Sequence, residues 1–384
     1  MKVLISGAGV AGLTLAHQLT RHGITPTVVE KAPGIRDGGY KVDIRGAALD
    51  VVRSMGILDE LRRLRTGVRS GSVVDTTGKR VASMDADTFG GRVHDDAEVL
   101  RGDLLRMLFD LTATTVDHRF GDSIVAIDDT RVTFASGGTE EFDVVVGADG
   151  VHSATRALAF GPEEQFVRDL GYRIAIYSAP NHLGLDREEL TYIGPGRTAL
   201  VYSTTHDATL KAMFLFAGDA ALSRQALREA YATEGWEVPR LLDGLDDTPD
   251  FYADTIAQVH MDRWSAGRVV LLGDAAHCAS PASGQGTSLA LVGGYLLAGE
   301  LAAASGDFET AFRSYEERMR PFALRNQELG PANIKRMVMG TRTQVRMSML
   351  MLGLMARLPG KERLMAKVIE PIHRAATAIT LPVY

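Results

Sequence analysis

The 384-residue chain is 45% hydrophobic and 23% charged, a balance that suits a soluble protein of two or three domains with a sizeable buried core. Its formal net charge of −6 offers no basic field for nucleic acid and disfavours an anionic membrane surface. A lone cysteine, Cys278, excludes an intramolecular disulfide and fits a reducing compartment, so a cytoplasmic location is expected.

The opening MKVLISGAGVAGL starts like a secretory leader, but glycines break its apolar run and no small-residue cleavage site follows. Residues 2–6 read as a buried strand. Val10, Leu13, Leu15, Ala16 and Leu19 keep a helical rhythm over 10–22, and 25–30 reads as a second strand. Between the first strand and the helix lie Gly7, Gly9 and Gly12. That spacing permits a tight turn, close approach of backbone to a pyrophosphate, and tight helix–strand packing above free N–H groups. Glu30 closes the second strand, where a carboxylate takes both hydroxyls of an adenosine ribose. This unit predicts a dinucleotide site without separating FAD from NAD.

Residues 98–110 (EVLRGDLLRMLFD) read as a helix with Arg101 in its first turn. A cation there costs about 0.3–1 kcal/mol against the helix dipole, which points to an anionic partner. The segments 141–150 and 268–277 read as strands ending in Asp149-Gly150 and Gly273-Asp274. Between them, 172–218 reads as antiparallel strands of an inserted sheet. From about 285 the chain turns helical. The methionines at 337, 339, 347, 349, 351 and 355 lie at helical spacing and are expected to pack in a core. No run reaches the roughly 18 apolar residues of a membrane span; 347–358 is the nearest, between Arg346 and Arg357.

Taken in order, the glycine motif with Glu30, Arg101-Gly102-Asp103-Leu104, Asp149-Gly150 and Gly273-Asp274 resemble the single-component FAD-dependent aromatic hydroxylases of the para-hydroxybenzoate hydroxylase type. The stretch IRDGGYKVDIRGAALDVVRSMGI is most similar to tetracycline-inactivating and antibiotic-tailoring monooxygenases. The resemblance spans most of residues 1–330. It implies an α/β fold: a Rossmann-like FAD-binding domain (1–71, 101–170 and 255–330), an inserted antiparallel β-sheet substrate domain (72–100 and 171–254), and C-terminal helices (331–384). It implies FAD as cofactor, with NADPH or NADH as a transient co-substrate. Glu30 would meet the ribose, Arg101 the pyrophosphate, Asp274 the ribityl or phosphate end, and Arg36 and Asp43 the length of the cofactor. Asp149 and Gly150 would serve both FAD and the nicotinamide. The turn Pro281, Gly284, Gln285, Gly286 would set free N–H groups at the flavin's pyrimidine edge. Where the family usually has Asn after this turn and an acid farther along, this chain has Ser288 and Gly293-Gly294.

The implied activity is hydroxylation of an aromatic, polyketide or related small molecule with NAD(P)H and O2 through a flavin hydroperoxide. The alternatives are a flavin oxidase, dehydrogenase or epoxidase on the same scaffold, or a flavoprotein that binds its ligand without turnover. Absence of a Trp-x-Trp-x-Ile-Pro segment argues against a flavin halogenase. No protein base stands out, and adjacent His277 and Cys278 do not complete a metal site. Substrate contacts are expected from the inserted sheet, where Tyr177, Tyr192, Arg197 and Met213 stand out among Tyr172, Arg173, Tyr202 and Phe214. Alternation along strands turns only about half of these inward. A monomer or weak dimer is expected.

Overall fold

The structure is a computed structural model that describes all residues except 37–38, 94, 206–208 and 356–360, and for 361–366 the backbone alone. Apolar runs bounded by glycine make the strands of a six-stranded sheet. Its order is Ser265–Ala266, Val269–Leu271, Val144–Gly147, Val3–Ser6, Thr27–Glu30 and Asp117–Phe120. All pairings are parallel except that of the two-residue edge strand. Val3–Ser6 and Val144–Gly147 are buried at every position, as expected where helices cover both faces of a parallel sheet.

One face carries the helix Val10–Arg21 and the long helix Gly286–Ala303, which pack on each other. A Cβ on Gly294 would lie 3.0 Å from the Leu15 backbone nitrogen, and one on Gly293 would lie 2.9 Å from Leu272. The two glycines that depart from the family pattern therefore serve close helix packing. Gly286–Ala303 is long and apolar enough to cross a bilayer by composition, although no uninterrupted run suggested it; 72% of the helix is buried inside the chain. Phe308–Gln327 packs on its other side and tolerates Pro321 within its length.

A seven-stranded sheet has the order Tyr252–Val259, Val167–Pro180, Thr209–Ala217, Arg197–Tyr202, Glu188–Gly194, Ser70–Val74 and Arg80–Asp85. It is antiparallel apart from the pairing of Glu188–Gly194 with Ser70–Val74. Its two faces bury different clusters. Ala175, Tyr177, Tyr192, Val201 and Phe214 meet the helices Arg224–Tyr231 and Val238–Asp243. Ile174, Ile176, Met213 and Leu215 meet Ile334 and Met337 of the helix Leu329–Met337.

Two expectations need correction. Residues 98–100 are strand, not helix: Ala97–Leu100 pairs antiparallel with Lys41–Ile44, and the helix starts at Arg101. Val99 and Leu100 are buried on opposite faces of that ribbon, which an isolated helical reading of the segment misses. The methionines do not form one core stripe. Met337 is partly buried against the sheet, whereas Met347 and Met351 are each 56% exposed on the helix Arg342–Met355.

Candidate cofactor and substrate site

The glycine loop is built by contacts that only glycine allows. Gly7 sits at φ +111°, donates its N–H to the Val29 carbonyl at 2.7 Å, and would place a Cβ 2.5 Å from the Ala148 carbonyl oxygen. A Cβ on Gly12 would collide with the Gly7 carbonyl. Gly9 differs from both, since a Cβ there would meet nothing within 4 Å. Its backbone faces open space at the start of Val10–Arg21. Among the described residues, the N–H groups of Val10, Ala11 and Gly12 have no acceptor within the chain, as for any helix start without a cap. The Glu30 carboxylate closes the loop, accepting from Ala8 N at 2.8 Å and Ala32 N at 2.9 Å. Beyond it, an open cleft of about 690 Å³ runs along Lys31–Arg36, with Arg36 exposed at its end.

A second helix start converges on the same place. The chain turns sharply at Gly273 (φ +64°), where a Cβ would stand 2.9 Å from Ala11 of the glycine-loop helix. Half-buried Asp274 follows, 3.9 Å from the position a Gly286 Cβ would take. Burial raises the Asp274 carboxyl above its ordinary value; the Cys278 thiol and the Arg101 charge pull it part of the way back. Arg101 opens its helix, with its backbone N–H bound to the Tyr40 carbonyl at 3.0 Å. Ser280 (φ +79°) and Gly284 (φ +66°) shape the turn around Pro281. Gln285 is fully buried, and neither its amide nitrogen nor its amide oxygen has a partner. Gly286, Thr287 and Ser288 then present first-turn N–H groups without acceptors among the described residues. The Ser288 hydroxyl is occupied on its other side, accepting from Arg45 N at 3.1 Å.

The Asp-Gly motif is linked to this turn from within. Ser153 caps the helix Ala154–Phe160, accepting from Arg156 N at 2.9 Å, and Asp149 backs this start by accepting from Thr155 N and Oγ1 at 2.9 Å each and from the Ser153 hydroxyl. Gly150 takes φ +85°. Arg156 is buried and reaches the Val151 carbonyl at 2.6 Å and the Ala275 carbonyl at 3.1 Å, joining the two loops. Asp43 is held between Arg45 (2.8 Å) and Arg92 (3.5 Å).

The structure therefore gathers Gly7, Gly9, Gly12, Glu30, Arg101, Gly273, Asp274 and the 281–286 turn around one region, with Asp149 and Gly150 tied to it through Arg156. It does not gather three of the four leading substrate candidates. Tyr177 donates to the Leu241 carbonyl at 3.0 Å and stacks on Phe214; Tyr192 donates to Glu234 at 2.5 Å and stacks on Trp236. Arg197 pairs with Glu234 at 3.5 Å and lies over the Tyr231 ring. All three belong to the helix-covered face of the sheet, because alternation places them there. Met213 occupies the opposite face, with Leu200, Tyr202 and Leu100.

Sequence reasoning also missed a buried charge cluster beside that face. Lys41 bridges Glu98 (3.0 Å) and Glu189, and lies over the Tyr202 ring. Arg92 meets Glu98 at 2.5 Å, and Thr66 donates to it at 2.6 Å. The only available signal was Lys41 and Asp43 alternating with Val42 and Ile44 in a strand.

His277 is a packing residue. It lies 4.6 Å from the Trp264 ring and 3.5 Å from the Tyr315 hydroxyl, and burial lowers its pKa to about 4. The unfolded imidazole takes a proton near 6.5 and the folded one does not, so this residue removes stability as pH falls from about 6.5 to about 4. An NMR titration is expected to show His277 neutral at pH 6 and protonating only near pH 4. The described residues contain no group of three or more potential metal ligands.

The chain is similar to known proteins along most of its length. The FAD binding domain family matches residues 1–167 and 244–328. An uncharacterized protein of Mycobacterium tuberculosis is 43% identical over 346 residues, covering 86% of this chain and 93% of its own length. A flavin-dependent monooxygenase of Legionella longbeachae is 38% identical, covering 86% and 88%. Among solved structures, tetracycline destructase Tet(51) superposes with a TM-score of 0.86 at 33% identity, covering 100% of this chain and 99% of the other.

Proposed function

Because this chain belongs to the FAD-dependent monooxygenases, we propose that it uses NAD(P)H and O2 to hydroxylate a planar aromatic or polyketide-type small molecule. The observation that carries this reading is the convergence of two uncapped helix starts, at Val10 and Gly286, on a region that contains an orphaned buried amide, Gln285. Unsatisfied donors at two helix N-termini suit a ligand with one anionic group and one electron-rich ring edge. FAD has both.

In this reading Glu30 holds the ribose hydroxyls, and the first-turn N–H groups after Gly9 hold the pyrophosphate with help from Arg101. Asp274 takes the ribityl end. The N–H groups of Gly286–Ser288 bond the ring's pyrimidine edge. The bound flavin supplies the hydride acceptance and oxygen activation that no side chain here can perform. The protein's part is to orient, to stabilise negative charge at the ring edge through the helix start, and to exclude water. In this reading Arg36, at the end of the open cleft, and Asp149-Gly150 would meet the nicotinamide co-substrate.

In this reading the substrate would bind on the sheet face that carries partly buried Met213, over the buried side chains of Leu200, Tyr202 and Leu100, and not on the face of the three side chains under the two short helices. The packing on that face is apolar and aromatic, which suits a flat ring system as its neighbour. Tetracycline destructase Tet(51), whose fold this chain shares along its full length, supports a polycyclic polyketide as the first class to try.

The test is a screen of tetracyclines, anthraquinones and simple phenols for stimulated NADPH and NADH oxidation by the purified yellow protein. The expected result is O2 uptake with a product heavier by one oxygen atom. Flavin reduction by a substrate without NAD(P)H would replace hydroxylation with an oxidase or dehydrogenase reading.

A further inference from the structure

We propose that the outer face of the helix Arg342–Met355 docks on an anionic lipid bilayer surface. Met347, Leu350, Met351 and Leu354 are 56%, 65%, 56% and 63% exposed. They stand at i, i+3, i+4 and i+7, which places them on one stripe. The opposite side of the helix is already used: Val345, Met349 and Leu352 are partly buried, and the helix packs on the strands Arg80–Asp85 and Glu188–Gly194. The helix thus has an inner apolar side with a partner and an outer apolar side without one. Other large exposed hydrophobics, such as Val125, Leu158 and Leu222, stand singly on separate elements. Single exposures need no explanation, but a contiguous stripe does.

Charge selects the occupant. Arg342 and Arg346 are exposed and, at one helical turn apart, run along one edge of the stripe. Residues 331–376 hold nine Lys and Arg against two Glu, leaving 33 of the 42 basic and 46 of the 48 acidic side chains in the rest of the chain. The overall charge of −6 conceals a strongly cationic C-terminal segment on an acidic body. A two-fold dimer through this stripe would set the patch against its own copy and bring like charges together. An anionic headgroup layer takes the apolar side chains below its surface and neutralises the arginines, whose stems lie along the apolar boundary. The proposal does not depend on the monooxygenase reading.

The test uses the full-length, FAD-loaded protein in co-sedimentation with vesicles of phosphatidylcholine alone and of phosphatidylcholine with phosphatidylglycerol. Binding is expected only with phosphatidylglycerol, weakening as salt is raised. Arg342→Gln with Arg346→Gln should weaken it about fivefold per arginine, and Leu350→Glu with Leu354→Glu should abolish it. Both double variants alter exposed side chains, so thermal unfolding and flavin content should match the parent protein and show that the fold is intact. Absence of vesicle binding, equal binding to both vesicle types, or full binding by the Leu350→Glu, Leu354→Glu variant would overturn the proposal. So would a parent dimer in solution that this variant splits, because the stripe would then be a self-contact.

Discussion

Gly7→Ala should leave little folded protein, whereas Gly9→Ala, two residues away, should fold normally and fail to hold FAD. At Gly7 an alanine meets two penalties. The backbone sits at φ +111°, where a side chain costs about 1–3 kcal/mol, and the Cβ falls 2.5 Å from the Ala148 carbonyl oxygen and 2.8 Å from its carbon. Both are backbone atoms of the neighbouring parallel strand's end, so neither swings away as a flexible side chain would. Overpacking of this kind adds about 1–3 kcal/mol. The sum, about 2–6 kcal/mol, is a large share of the roughly 5–15 kcal/mol that keeps a protein folded. At Gly9 the backbone is extended (φ −82°, ψ −176°), and nothing stands within 4 Å of the added methyl. The flavin-free Gly9→Ala protein should therefore unfold within about 0.5 kcal/mol of the parent. If a pyrophosphate passes over that position, the methyl takes its space, and FAD affinity should drop at least about tenfold, some 1.4 kcal/mol. Thermal unfolding of apo protein and flavin titration separate the two effects. Wild-type flavin affinity in Gly9→Ala would move the pyrophosphate away from this loop.

The difference between these glycines also shows how far the sequence could be read. Spacing alone announced a nucleotide loop, because Gly7, Gly9, Gly12 and Glu30 are local to one strand–helix–strand unit. Asp274 and the 281–286 turn were marked by the family resemblance, and the structure places them next to each other and Gly273 against Ala11 of the glycine-loop helix. What the sequence did not reveal depends on pairings distant in the chain. Leu100 lies in a strand because Lys41 is opposite it, and Lys41 finds Glu189 some 148 residues later. Tyr177, Tyr192 and Arg197 have the composition of a substrate pocket, but the register of each strand turns them toward two short helices. Period-2 alternation says that half of a strand's side chains share a face; it cannot say which face the substrate sees. The methionines failed for a related reason, since a helix at the surface and a helix in the core share the same period.

Lys41→Met is expected to cost about 3–5 kcal/mol at neutral pH, the usual penalty for removing one partner from a buried ion pair. Lys41 is the cation through which the ribbon Lys41–Ile44/Ala97–Leu100 grips the seven-stranded sheet: it meets Glu98 on the ribbon and Glu189 on the sheet. Without it, Glu189 loses its cation and Glu98 keeps only Arg92, while both carboxylates stay nearly sealed from water at 8% and 6% side-chain exposure. Methionine keeps the length of the stem, so the loss reports charge and not volume. The pH dependence identifies the cause. Burial by itself would raise the Glu98 carboxyl, but Lys41, Arg92 and the Thr66 hydroxyl together outweigh it and hold the group down at about 2. A carboxyl lower in the folded chain than its unfolded value of about 4.3 contributes stability above pH 4.3 that is lost as pH falls toward 2. The parent should therefore lose stability through that window, the variant should lose less, and the gap between them should close in acid. Urea unfolding at pH 7, 5 and 3 measures this directly. A gap of the same size at all three values would mean that Lys41 acts by packing alone. A gap that closes would show that the seam between ribbon and sheet, which holds Leu100 of the ribbon against Tyr202 of the sheet, is set by charge.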